Sequence, residues 1–114
     1  MSHVTTHILD AALGRPAAGV PVRLEAASDA DRASWRTVAE GRTDDDGRVG
    51  DLGPERLAAG YHRITFDTAA YFTATGQRGF YPEVSIVFDL ADEDAHYHVP
   101  LLLSPFAYST YRGS

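Results

Sequence analysis

The stretch Glu83-Val84-Ser85-Ile86-Val87-Phe88-Asp89-Leu90 decides the class of fold. Val84, Ile86, Phe88 and Leu90 fall on one face of an extended chain, and Glu83, Ser85 and Asp89 on the other. Successive side chains of a pleated strand point to opposite sides, so a period of two marks a strand with one buried face and one wet face. The same alternation recurs upstream. Val20, Val22, Leu24 and Ala26 oppose Pro21, Arg23 and Glu25, and Ile64 and Phe66 oppose Arg63 and Thr65. Further strands are expected near Thr5–Leu9, Trp35–Glu40, Tyr97–Leu103 and Phe106–Tyr111. Turn-forming residues separate these runs at Gly14-Arg15-Pro16, Ser28–Arg32, Asp46-Gly47 and Asp92–Asp94. Many short strands divided by such turns point to a β-sandwich.

One segment departs from this period. Thr68–Thr75 carries Ala69, Ala70, Tyr71, Phe72 and Ala74 at helical spacing, with Asp67 or Thr68 able to cap its start and Gly76 its end. A single short helix is expected there. Leu101–Tyr111 is apolar on both faces, with three leucines in succession. A two-layer sandwich buries one face of each sheet, so a second subunit is expected to cover the other.

At 114 residues, 44% of them apolar, the chain suits one domain, residues 1–114, with a real core. A net charge of −6 and the lack of a basic patch argue against nucleic acid as a partner. The chain has no cysteine, which removes disulfides, thiolate nucleophiles and cysteine-based zinc sites. Met1–Leu13 does not read as a secretory leader, and no segment approaches the roughly 20 apolar residues of a membrane helix. A cytoplasmic protein with no membrane partner is expected.

Chemistry must come from histidine and arginine. Alternation puts His3, Thr5 and His7 on the outer face of the first strand, opposite Val4, Thr6 and Ile8. It likewise puts His96, His98 and Leu102 outside and Val99, Leu101 and Leu103 inside. Assembly with another subunit would take such outward histidines out of water. His96 and His98, two apart on one strand, could also be metal ligands, but a third ligand would have to come from elsewhere and no tight Asp/Glu/His cluster supplies it. Arg48 follows the Asp46-Gly47 turn and is expected to begin the next strand. No phosphate loop, dinucleotide fingerprint or Gly-x-Ser-x-Gly elbow is present.

The run His96-Tyr97-His98-Val99-Pro100-Leu101-Leu102-Leu103-Ser104-Pro105-Phe106, closed by Tyr111-Arg112-Gly113-Ser114, resembles the end of the 5-hydroxyisourate hydrolases of the transthyretin-related family. Thr6-His7-Ile8-Leu9-Asp10, Thr43–Arg48 and Asp67–Phe72 agree with it, so the resemblance spans about His3–Ser114. It implies an all-β, transthyretin-like sandwich of two four-stranded sheets, antiparallel or mixed, with the short helix at about 68–75. It implies catalysis by His7, Arg48 and His98, substrate contacts from His7, Arg48, Tyr111 and Ser114, and neither metal nor cofactor. It also implies a homotetramer, a dimer of dimers, with sites where the dimers meet. Ala107 stands where the family usually has glycine and Asp44 where asparagine is common; neither is expected to touch the chemistry. His3 and His62 receive no role, and replacing either is expected to be near neutral. Two other readings stay open: a transthyretin-like carrier of small ligands, and a zinc-dependent cyclic amidohydrolase using His96 and His98.

Overall fold

The computed structural model describes residues 2–114. The elements in chain order are β1 (Val4–Asp10), β2 (Arg15–Pro16), β3 (Pro21–Ala27), β4 (Trp35–Arg42), β5 (Gly60–Phe66), α1 (Thr68–Ala74), β6 (Val84–Leu90), β7 (Tyr97–Ser104) and β8 (Ala107–Thr110). They form two four-stranded sheets, ordered β2-β1-β7-β8 and β4-β3-β5-β6. All pairings are antiparallel except β1 with β7, which is parallel. The fold is therefore the expected mixed sandwich with one short helix. No helix among the described residues is long and apolar enough to cross a membrane.

The alternating side chains meet between the sheets. Ile8, Leu24, Ile64, Phe66, Leu90 and Leu101 are fully buried there. Each such side chain contributes about 1.5–3 kcal/mol relative to exposure. Leu103 is buried beside Leu101 while Leu102 turns half-buried to the outside, as alternation requires. On the outer face of the second sheet, Glu25 is nearly buried because Arg63 (2.9 Å) and Arg23 (3.4 Å) bracket its carboxylate. The Arg63 guanidinium also lies 4.5 Å from the centre of the Trp35 ring.

The helix begins and ends as its residues dictate. The Asp67 carboxylate accepts from Ala70 N at 3.1 Å. At the other end Gln77 N donates to Phe72 O and Gly76 N to Thr73 O, with Gly76 at φ 68°. This is the double bond pattern of a glycine-terminated helix. A buried carboxylate ties the helix to β1. Asp10 Oδ2 accepts from Tyr71 Oη (2.6 Å) and Gln77 Nε2 (3.0 Å), and Oδ1 from Ala12 N (3.0 Å) and Leu13 N (2.8 Å). Burial pushes the Asp10 pKa up, but the hydrogen bonds outweigh it and hold the carboxyl below its ordinary value. Burial, and then the Asp10 carboxylate, push the Tyr71 hydroxyl up to about 12.

The two strands expected near Tyr97–Leu103 and Phe106–Tyr111 form the β7–β8 hairpin, turned by Pro105 and Phe106. Three expectations need correcting. β4 runs two residues past Glu40, to Arg42. Arg48 begins no strand; it forms an isolated bridge to His7. His3 does not share the outer face with Thr5 and His7. It precedes β1, is buried, and its ring joins two loops: Leu57 N donates to Nδ1 (2.9 Å), so Nε2–H donates to Ala95 O (2.7 Å). His62 is buried too, with Nδ1–H donating to Gly60 O at 3.1 Å and its ring stacked on Phe88.

Candidate active site

The parallel register of β1 and β7 sets Thr5 beside His98 and His7 beside Pro100. Paired residues share a face, so Thr5, His7 and His98 all stand outside the sandwich. The Thr5 hydroxyl lies 2.8 Å from His98 Nδ1 and 2.9 Å from His96 Nε2.

Arg48 arrives on a loop that runs alongside β1 and bridges to it. Asp44 shapes this loop: its Oδ1 accepts from Asp46 N (2.9 Å) and Arg48 N (3.0 Å). Gly47, at φ 77°, donates to Asp44 O, and its own carbonyl accepts from Ile8 N at 2.8 Å. A Cβ at position 47 would strike the Ile8 carbonyl, so only glycine lets the loop come this close. Asp44 thus bears on the placement of Arg48 without itself lining the cavity. Its role needs only a side-chain Oδ1 acceptor, which asparagine also supplies.

The third strand of chain here is 111–114. Gly113 N donates to His98 O at 2.9 Å, an isolated antiparallel bridge. The glycine backbone lies against the imidazole; a Cβ there would stand 2.5 Å from His98 Cδ2. Arg112 stacks 4.5 Å from the Tyr97 ring centre.

Thr5, Thr6, Arg48, Val49, His96, His98 and Ser114 line one cavity of about 370 Å³. The structure therefore brings together three of the expected residues, Arg48, His98 and Ser114. His7 stands beside them through its bridge to Arg48 but does not line the cavity. Tyr111 lies in a neighbouring cavity of about 300 Å³ that also touches His98, Phe88 and Tyr97. Thr5, Val49 and the packing of Gly113 on His98 were not foreseen as parts of the site. Alternation had placed Thr5 on the right face, which was the available signal.

Burial lowers the His98 pKa, and the Arg48 guanidinium, His7 and His96 lower it further, outweighing a hydrogen bond with the Thr5 backbone that raises it. The net shift favours the neutral imidazole beside a cation. No ion pair engages the Arg48 guanidinium among the described residues. A neutral imidazole can take a proton from water, and an unpaired guanidinium can hold a developing oxyanion. His96 and His98 converge on a hydroxyl, and no group of three or more potential ligand residues forms among the described residues.

A family model described as the HIUase/Transthyretin family matches residues 4–113. The chain belongs to that family. A 5-hydroxyisourate hydrolase of Caulobacter vibrioides is 48% identical over 118 residues, covering all of both chains. The Mus musculus 5-hydroxyisourate hydrolase is 44% identical, covering 99% of this chain and 96% of that one. Among solved structures, Sparus aurata transthyretin superposes with a TM-score of 0.90 at 37% identity, covering 99% and 97%. Klebsiella pneumoniae 5-hydroxyisourate hydrolase gives 0.83 at 35% identity, covering 100% and 94%. The HIUase/Transthyretin fold thus does not by itself separate hydrolase from transthyretin, since the transthyretin superposes at least as well.

Proposed function

We propose that the chain is a 5-hydroxyisourate hydrolase of urate breakdown, yielding 2-oxo-4-hydroxy-4-carboxy-5-ureidoimidazoline. The observation that carries this reading is the His98 imidazole, its pKa lowered by burial, beside the unpaired Arg48 guanidinium in one cavity. The sequence relatives named 5-hydroxyisourate hydrolase, at 44–48% identity, support it over a carrier. In this mechanism His98 takes a proton from water, and the water oxygen adds to the cyclic amide carbonyl. Arg48 holds the oxyanion through charge-assisted hydrogen bonds. The carbon–nitrogen bond then breaks, and the leaving nitrogen takes a proton delivered by His7 or returned from His98. Ser114 and Tyr111 contact the planar substrate. The protein's own side chains supply the acid–base and electrostatic work, and no metal or cofactor takes part.

The chain is a single domain, residues 1–114, and acts in the cytoplasm as a homotetramer, a dimer of dimers. Phe106 (69% exposed), Tyr111 (60%) and Phe80 (67%) are exposed apolar side chains that a partner subunit would cover. The cavity would close at the dimer–dimer interface, drying the site. The test is to generate 5-hydroxyisourate from urate in situ and follow its decay. Catalysis by metal-stripped protein, lost by at least about 10²-fold in His7→Ala, Arg48→Ala and His98→Ala, is expected. Loss on chelation with recovery on added zinc would overturn it. Light scattering checks the tetramer.

A further inference from the structure

We propose that Thr5 is a positioning residue that, together with His96, fixes which ring nitrogen of His98 carries the proton. Thr5 has this role on the reading that His98 is the base. Its hydroxyl is the shared partner of two imidazoles: His98 Nδ1 at 2.8 Å and His96 Nε2 at 2.9 Å. A hydroxyl has one proton to give and two lone pairs to accept with. Nδ1 of His98 is engaged by Thr5, so Nε2 is the nitrogen left to take a proton from water. For that, Nε2 must be bare and the ring proton must sit on Nδ1, donated to Thr5 Oγ1. The Thr5 proton then passes on to His96 Nε2, whose own ring proton sits on Nδ1. The run of bonds from His98 through Thr5 to His96 points one way, and the working tautomer of His98 lies at its head.

The reverse polarity, with His96 Nε2–H donating to Thr5 and Thr5 donating to His98 Nδ1, puts the proton on His98 Nε2. The base is then lost without any change in charge or shape. Which nitrogen of a histidine is protonated is set by the bond its other nitrogen makes. The backbone favours a fixed arrangement. Thr5 and His98 are register partners in the parallel pair, so the distance between them is held by the ladder. Gly113 packs on the opposite edge of the ring, at Cδ2, and keeps it from swinging away.

The test uses the full chain labelled with ¹⁵N in its histidine rings, together with Thr5→Val, Thr5→Ser and His96→Gln. Two-dimensional spectra report the protonated nitrogen of His98 without substrate. The wild type should show His98 protonated at Nδ1. Thr5→Val, nearly the same shape without the hydroxyl, should show mixed or reversed tautomers. Its kcat should fall at least about tenfold with KM little changed. Thr5→Ser should restore both the tautomer and most of kcat. His96→Gln should loosen the tautomer less than Thr5→Val does. Wild-type His98 protonated at Nε2, or a Thr5→Val spectrum like that of the wild type, overturns the proposal. A changed tautomer with unchanged kcat upholds the role of Thr5 and instead overturns His98 as the base.

Discussion

Replacing Gly113 by alanine should cripple turnover while sparing the fold. The Cβ of such an alanine would stand 2.5 Å from His98 Cδ2 and 3.2 Å from Cγ. Ordinary contact begins near 3.4 Å, so the ring or the terminal segment must give by about 0.9 Å. If the ring retreats by that much toward or away from Thr5, their 2.8 Å bond becomes either a clash or no bond at all. If the segment retreats instead, the 2.9 Å bond from Gly113 N to His98 O is lost and Ser114 leaves the cavity. A misplacement of about 1 Å costs on the order of 10²-fold in rate, or about 2.7 kcal/mol of transition-state stabilisation. Stability should fall by only about 1 kcal/mol, since a single bridge bond is at risk. The assay is decay of 5-hydroxyisourate alongside a thermal melt. Gly50→Ala is the control, because nothing lies within 4 Å of its Cβ. Turnover in Gly113→Ala within about twofold of wild type would refute the claim that this glycine holds the imidazole in place.

Burial and then the Arg48 charge hold the His98 pKa below 6.5, so the acid limb of kcat/KM should lie below that pH. Arg48→Gln removes a cation that disfavours imidazolium, so its acid limb should move to higher pH; a limb that stays put sinks this account. His3→Ala strips partners from two backbone groups in the interior and should cost at least about 2 kcal/mol in urea unfolding, where surface reasoning expected no effect. Burial, foremost, lowers the His62 pKa from 6.5, so below that pH the unfolded chain binds a proton the folded one refuses. Stability should therefore decline as pH falls through 6.5, and His62→Leu should flatten that decline; equal slopes would count against it.

The long strands were legible because each shows its own alternation, and α1 because its caps sit in sequence. β2 was not: two residues carry no period, and Arg15-Pro16 reads as a turn. The bridge from Arg48 to His7 was missed because an Asp-Gly pair signals a hairpin, whereas here the loop closes on Asp44 and pairs alongside β1. His3 was misplaced by extending the β1 alternation past its true start, where a bond from His3 N to Pro54 O redirects the chain. Arg48, His98 and Ser114 came from resemblance, and the structure brings them to one cavity. Alternation put Thr5 on the right face, but its partner lies 93 residues away, so no local pattern pairs it with His98.

The parallel pairing of β1 with β7 has a bearing on how the protein matures. The β4-β3-β5-β6 sheet joins strands that follow one another closely, so it can assemble from short-range hairpins and near neighbours. β1 must instead find β7 across nearly the whole intervening chain, and such distant closures are the slow part of folding. A molecule with the second sheet formed but β1 still undocked would give much of the far-ultraviolet signal of the finished protein. It would hold no Thr5 against His98 and no His7 against Arg48. On refolding, catalytic power should consequently emerge with a lag behind secondary structure, which makes the first detectable turnover a clock for the docking of β1.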